Sequence, residues 1–201
     1  MALSQKSLGQ LSLKPPAHSE LSAYEKPEVI YPFSDVSTKG DIEFIIPKIL
    51  LVNFYEKTQV KDKNIEDLAK HIDRVMAEEN WDVLRSGDLS EDYFLIAEQI
   101  AQGHGIKSNQ NNPSEDTMTS FASKFCGHHN QKAPFYDKYV WEILKYWVKG
   151  TGFKMEWHNY RNYVEAFWHL QECHPYLKSF SLRHIESYIW SVANDIVKEH
   201  P

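Results

Sequence analysis

The chain has 201 residues, a net charge of −6, 42% hydrophobic and 13% aromatic residues, with 6 Trp, 11 Tyr and 10 His. Those values exclude a largely disordered chain, and the acidic balance excludes a uniformly basic nucleic-acid binder, because phosphate attraction grows with the Lys and Arg presented. Two cysteines and no apolar run long enough for a membrane span or a secretory leader lead us to expect a cytoplasmic protein with no membrane partner.

Residues 1–40 carry Pro15, Pro16, Pro27 and Pro32 and no sustained period, which predicts an irregular N-terminal arm ahead of one helical domain over 41–201. From Asp41 on, Ile42, Ile45, Ile46, Ile49, Leu50 and Phe54 recur at helical spacing. Asn64 and Asp67 read as the start of an amphipathic helix striped by Ile65, Leu68, Ile72, Val75 and Met76. Ser90 opens another through Tyr93, Ile96, Ala97 and Ile100, stopped by Gly103 and Gly105. The polar run 106–115 reads as a loop. Ser114, Glu115 and Asp116 then cap a helix through Met118, Phe121, Ala122 and Phe125 to Gly127.

A further helix is expected over Tyr136–Val148, with Val140, Ile143, Leu144 and Trp147 inward, broken by Lys149–Lys154. Two more follow, Trp157–Cys173 and Leu182–Val197, the latter capped by Ser181 with Ile185, Ile189, Val192 and Ile196 on one face. The reading is an all-α, compact multi-helix domain of seven or eight helices, with no hairpin or βαβ pattern and no internal repeat.

Chemistry concentrates between Ser120 and Leu144. A lysine on a partly buried helix face has a lowered pKa and becomes an amine nucleophile, and a nearby carboxylate stabilises a developing cation or activates water. Lys124 and Asp137 are the residues suited to those roles. His128 and His129 read as connector residues placed to touch a phosphate or a base. Cys126, His128, His129, Cys173 and His174 are metal-ligand types, but their spacing matches no standard zinc module and no metal is expected. In the run KGTGFK, the backbone at Gly150 and Gly152 between Lys149 and Lys154 suits phosphate, although a helix C-terminal stop explains the same pattern. The aromatics from Trp157 to Trp190 fit core filling, with base stacking or a protein interface as the other uses.

The order Ala-Ser-Lys on a helix, a short connector, then Phe135-Tyr136-Asp137 and a new helix with Val140 resembles the helix-hairpin-helix DNA glycosylases, closest to their 8-oxoguanine-glycosylase-like bacterial branch. The resemblance covers about 25 residues. It implies that Asp137 is the catalytic aspartate, that Lys124 is the Schiff-base lysine of a glycosylase-lyase, and that Tyr136, Phe135 and Trp141 line a pocket for a flipped base. It implies no cofactor. Residues 109–119 contain no glycine where that family usually has a Gly-x-Gly hairpin, and an alternative alignment moves the family lysine to Met118 or Thr119. The expected function is excision of a modified or damaged base from DNA. The alternative is a non-catalytic helical module that binds nucleic acid or a protein partner, in a setting such as stress or phage defence.

Overall fold

The structure is a computed structural model that describes residues 15–24, 42–56, 58, 60–76, 80–103 and 116–199. Among the described residues the chain forms nine α-helices, two short 3-10 helices and no strand. They fall into two compact units, one made of Met1–Val29 with Pro134–Pro201 and the other of Ile30–Ala133.

The second unit contains α2 (Ile42–Glu56), a 3-10 turn (Asp62–Asn64), α3 (Ile65–Met76), α4 (Trp81–Arg85), α5 (Glu91–Ala101) and α6 (Asp116–His129). Helix α6 is the central element. It packs on α2, α4 and α5, and Met118, Phe121, Ala122, Phe125 and Cys126 are all buried. Four of the five residues read as the stripe of α3, Ile65, Leu68, Ile72 and Met76, are buried with Ala69 beside them, whereas Val75 is only half-buried. Ser90 caps α5 as expected, its Oγ accepting the Tyr93 N–H at 3.3 Å. Asn53 closes the loop after α2: its side chain accepts from the Val60 N–H and donates to the Val60 carbonyl, at 2.9 and 2.8 Å.

Helix α2 corrects the sequence reading of its face. Ile45, Lys48, Ile49 and Val52 point inward, while Leu50 is 45% and Phe54 77% exposed. The helix is apolar on nearly every side, so apolar spacing alone does not choose which side is buried.

The first unit contains α1 (His18–Ala23), α7 (Lys138–Trp147), α8 (Tyr160–Cys173), a 3-10 turn (Pro175–Ser179) and α9 (Leu182–Glu199). Helix α9 packs on α7, α8 and α1. Asn159 caps α8 and Ser181 caps α9, accepting the Asn162 and His184 N–H groups at 2.9 and 3.1 Å. The two helices not anticipated, α1 and α4, span 6 and 5 residues, too few turns to produce a readable period. Helix α8 also begins at Tyr160 rather than Trp157. Ser114, Gly105 and the 106–115 loop lie outside the described residues, as do residues 25–40 of the expected arm.

Candidate functional site

The two leading residues belong to different units, Lys124 to the second and Asp137 to the first. In the second unit, Lys124 is 8% exposed and its Nζ donates to the Glu56 carbonyl, the last residue of α2, at 3.2 Å. One turn further along α6, His128 Nε2 lies 3.4 Å from the Glu56 carboxylate. Lys124 thus caps the C-terminal end of α2, where carbonyls and the helix dipole favour a cation, and the His128 ring lies against the Glu56 carboxylate. His128 and His129 correct the connector expectation. They form the last turn of α6, and the connector begins at Asn130.

His129 stands edge-on to Trp81 and Phe125, with ring centroids 5.2 and 5.4 Å away. Lys48, which the sequence reading did not single out, reaches the same indole, its Nζ 4.6 Å from the Trp81 ring. The signal was present in the sequence: Lys48 interrupts the inward series Ile45, Ile49, Val52. Burial lowers the Lys48 ammonium from 10.5 to about 8, helped by the Arg85 charge. Burial pushes His129 well below its ordinary value, with Lys48, Arg85 and His128 adding repulsion.

Both shifts make stability rise with pH. Between about 8 and 10.5 the unfolded chain holds the Lys48 proton that the folded unit has lost, and below about 6.5 the unfolded chain binds a proton that His129 refuses. The Cys126 thiol and the Tyr163 phenol, both raised by burial, act in the opposite sense at alkaline pH. The Lys48 contribution is therefore read as a difference between variants. Urea midpoints followed across pH are expected to show a shallower rise above pH 8 in Lys48→Met than in wild type, and a weaker acid loss in His129→Phe. Parallel curves would remove these two groups as the cause.

In the first unit, Asp137 has an extended backbone and caps α7, its Oδ1 accepting the Tyr139 and Val140 N–H groups at 2.8 and 3.3 Å. The three residues before it are each tied down. The Tyr160 hydroxyl donates to the Pro134 carbonyl and the Tyr163 hydroxyl to the Phe135 carbonyl, both at 2.8 Å. The Tyr136 hydroxyl accepts the His158 N–H at 3.0 Å. Burial raises the Tyr163 phenol well above 10, with the Glu186 and Asp137 charges adding to it, so it stays a neutral donor. The carboxylate at the head of α7 is thereby held by the fold and not by its own turn alone.

Tyr136 and Trp141 are 3% and 5% exposed, so both side chains are buried. Trp141 donates from Nε1 to the Glu156 carbonyl at 3.4 Å, and Lys145 Nζ sits 4.7 Å from its ring. The turn holding Lys149, Gly150, Gly152 and Lys154 follows the C-terminal end of α7, and both glycines have φ of +88° with open space around them. A helix C-terminus carries partial negative charge, so any anion there would depend on the exposed Lys149 and Lys154. Cys126 is buried in the second unit. Cys173 is exposed in the first, 3.5 Å from His169 Nε2. Among the described residues no group of three or more His, Cys, Asp or Glu is placed to hold a metal ion.

Among the described residues both units are thus helical without a strand, with ionisable side chains gathered at the end of α6 in one and the start of α7 in the other. Residues 17–133 match the model of the HI_0787_N family, described as an N-terminal domain. The match covers more than half of the chain, which belongs to that family. The matched segment ends at Ala133, where the second unit also ends. An uncharacterized protein of Haemophilus influenzae is 34% identical over 87 residues, covering 41% of this chain and 40% of that protein. The match thus spans well under two thirds of that relative's length. No solved structure matches. No helix among the described residues is long and apolar enough to cross a membrane.

Proposed function

We propose that the chain is a DNA glycosylase-like protein that excises a modified or damaged base hydrolytically, with Asp137 as the catalytic carboxylate and without lyase chemistry at Lys124. The observation that carries this reading is the fixed carboxylate at the head of α7, with Pro134, Phe135 and Tyr136 each anchored just before it. A carboxylate held in place stabilises the oxocarbenium-like sugar as the glycosidic bond breaks. The departing base takes the bonding electron pair and a proton. The oxygen of water forms the new bond to C1′, and its remaining proton stays on that oxygen.

Lys124 is assigned to structure because the residue is largely buried and its amine donates to the Glu56 carbonyl. Lys124→Met should release base at the wild-type rate while losing about 1 kcal/mol of stability, since a part-buried carbonyl at a helix end loses its donor. The test pairs base release from duplex oligonucleotides, each with one deaminated, oxidised or alkylated base, with borohydride trapping. Release without a trapped adduct supports the assignment. An adduct that disappears in Lys124→Met would restore the amine as a nucleophile.

The second reading, a non-catalytic module for nucleic acid or protein, draws on exposed Phe44, Leu50, Phe54 and Tyr55 along α2. It requires binding with no base release from any of these duplexes.

A further inference from the structure

The residues just ahead of α8 are built around an exposed indole. Trp157 is 39% exposed, yet it is braced by three rings, with centroids 4.4 Å from Trp141, 4.4 Å from His158 and 6.0 Å from Tyr136. All three contacts are inclined or edge-on, at 60° to 81°. His158 has φ of +62°, the sole non-glycine residue in the left-handed region among those described. That conformation costs a non-glycine residue energy and persists where the surroundings enforce it. Here the enforcing contact is the His158 N–H to the Tyr136 hydroxyl, in the same lead-in that fixes Asp137.

From Asp137 to Glu156 the chain carries four lysines, Lys138, Lys145, Lys149 and Lys154, and three carboxylates, Asp137, Glu142 and Glu156, a small positive excess within a chain of net −6. Lys145 lies over Trp141, the ring that braces Trp157. A rigid, half-exposed aromatic ring loses little entropy when a flat ligand stacks on it, and Lys145 beside it supplies attraction for phosphate.

We infer that Trp157, braced by His158, is a stacking platform for an unpaired nucleobase carried on a phosphate backbone, with Lys145 attracting the adjacent phosphate. This rests on the reading of the first unit as facing nucleic acid, and it names the substrate form as an extrahelical or single-stranded base.

The test uses the full chain and fluorescence anisotropy on two labelled duplexes, one with a single bulged thymine and one with a tetrahydrofuran abasic analogue at that position. Wild type should bind the base-bearing duplex about tenfold more tightly, as loss of one base–aromatic stack predicts. Trp157→Ala should lose that preference and Trp157→Phe should keep most of it, which separates stacking from a folding defect. Equal affinity of wild type for both duplexes, or an undiminished preference in Trp157→Ala, overturns the platform. Base release that depends on Asp137 but ignores Trp157 leaves the proposed function standing and removes this inference. A Trp157-dependent preference with no base release keeps the inference and removes the excision reading.

Discussion

Asp137→Asn is expected to slow base release by about 10²–10³-fold, the scale on which loss of a fixed electrostatic group acts on a transition state. The substitution is chosen because asparagine and aspartate are comparable helix N-caps. An amide oxygen at this position can still accept the Tyr139 and Val140 N–H groups that Asp137 Oδ1 accepts at 2.8 and 3.3 Å. Only the charge is removed, with a stability cost below about 1 kcal/mol from the weakened interaction with the helix dipole. Asp137→Ala removes cap and charge together and should cost a further ~1 kcal/mol of stability. Single-turnover release measured beside thermal melting separates the two roles. Unchanged release in Asp137→Asn would make Asp137 a cap and nothing more.

Phe125→Ala carries the largest expected structural effect. Phe125 is fully buried at the centre of α6, stacked on Phe121 with centroids 5.9 Å apart and facing Trp81 and His129. Truncation leaves a cavity between α4 and α6 beside a histidine already kept neutral by its surroundings. The expected loss is about 3–5 kcal/mol, comparable with the whole stability margin of many domains. Hydrogen exchange across α4 and α6 should quicken most. A loss below about 1 kcal/mol would mean that α6 is not the element on which the second unit is assembled.

The long helices were legible because their apolar residues keep a helical period and their caps are chemically explicit. Ser90, Ser181 and Asp137 lie at helix starts where the sequence placed them. The inward face of α2 was not legible, since a helix apolar on all sides offers no contrast between Leu50 and Ile49. Nor was the partner of Lys124. A buried lysine on a helix reads equally as a nucleophile and as a donor to a distant helix end, and only tertiary packing brings Glu56 to it. Lys48 was visible as a charge within an apolar stripe but not its neighbour Trp81, which lies on a helix of 5 residues. The left-handed His158 was not legible, because even histidine, which adopts that conformation more readily than most residues, does so at only a small share of positions.

Asp137 was accessible from sequence for a different reason: its role as a cap is local, and the resemblance points to the same residue. What the sequence did not carry is the anchoring of Pro134, Phe135 and Tyr136 by Tyr160, Tyr163 and the His158 backbone. That anchoring turns a helix cap into a carboxylate of fixed position.

The most direct test of the account is mass spectrometry of free bases released from genomic DNA that has been deaminated, oxidised and alkylated, comparing wild type with Asp137→Asn. The account predicts at least one damaged base in the wild-type supernatant and its near absence with Asp137→Asn. No released base above the protein-free control, or equal release by both proteins, would contradict it.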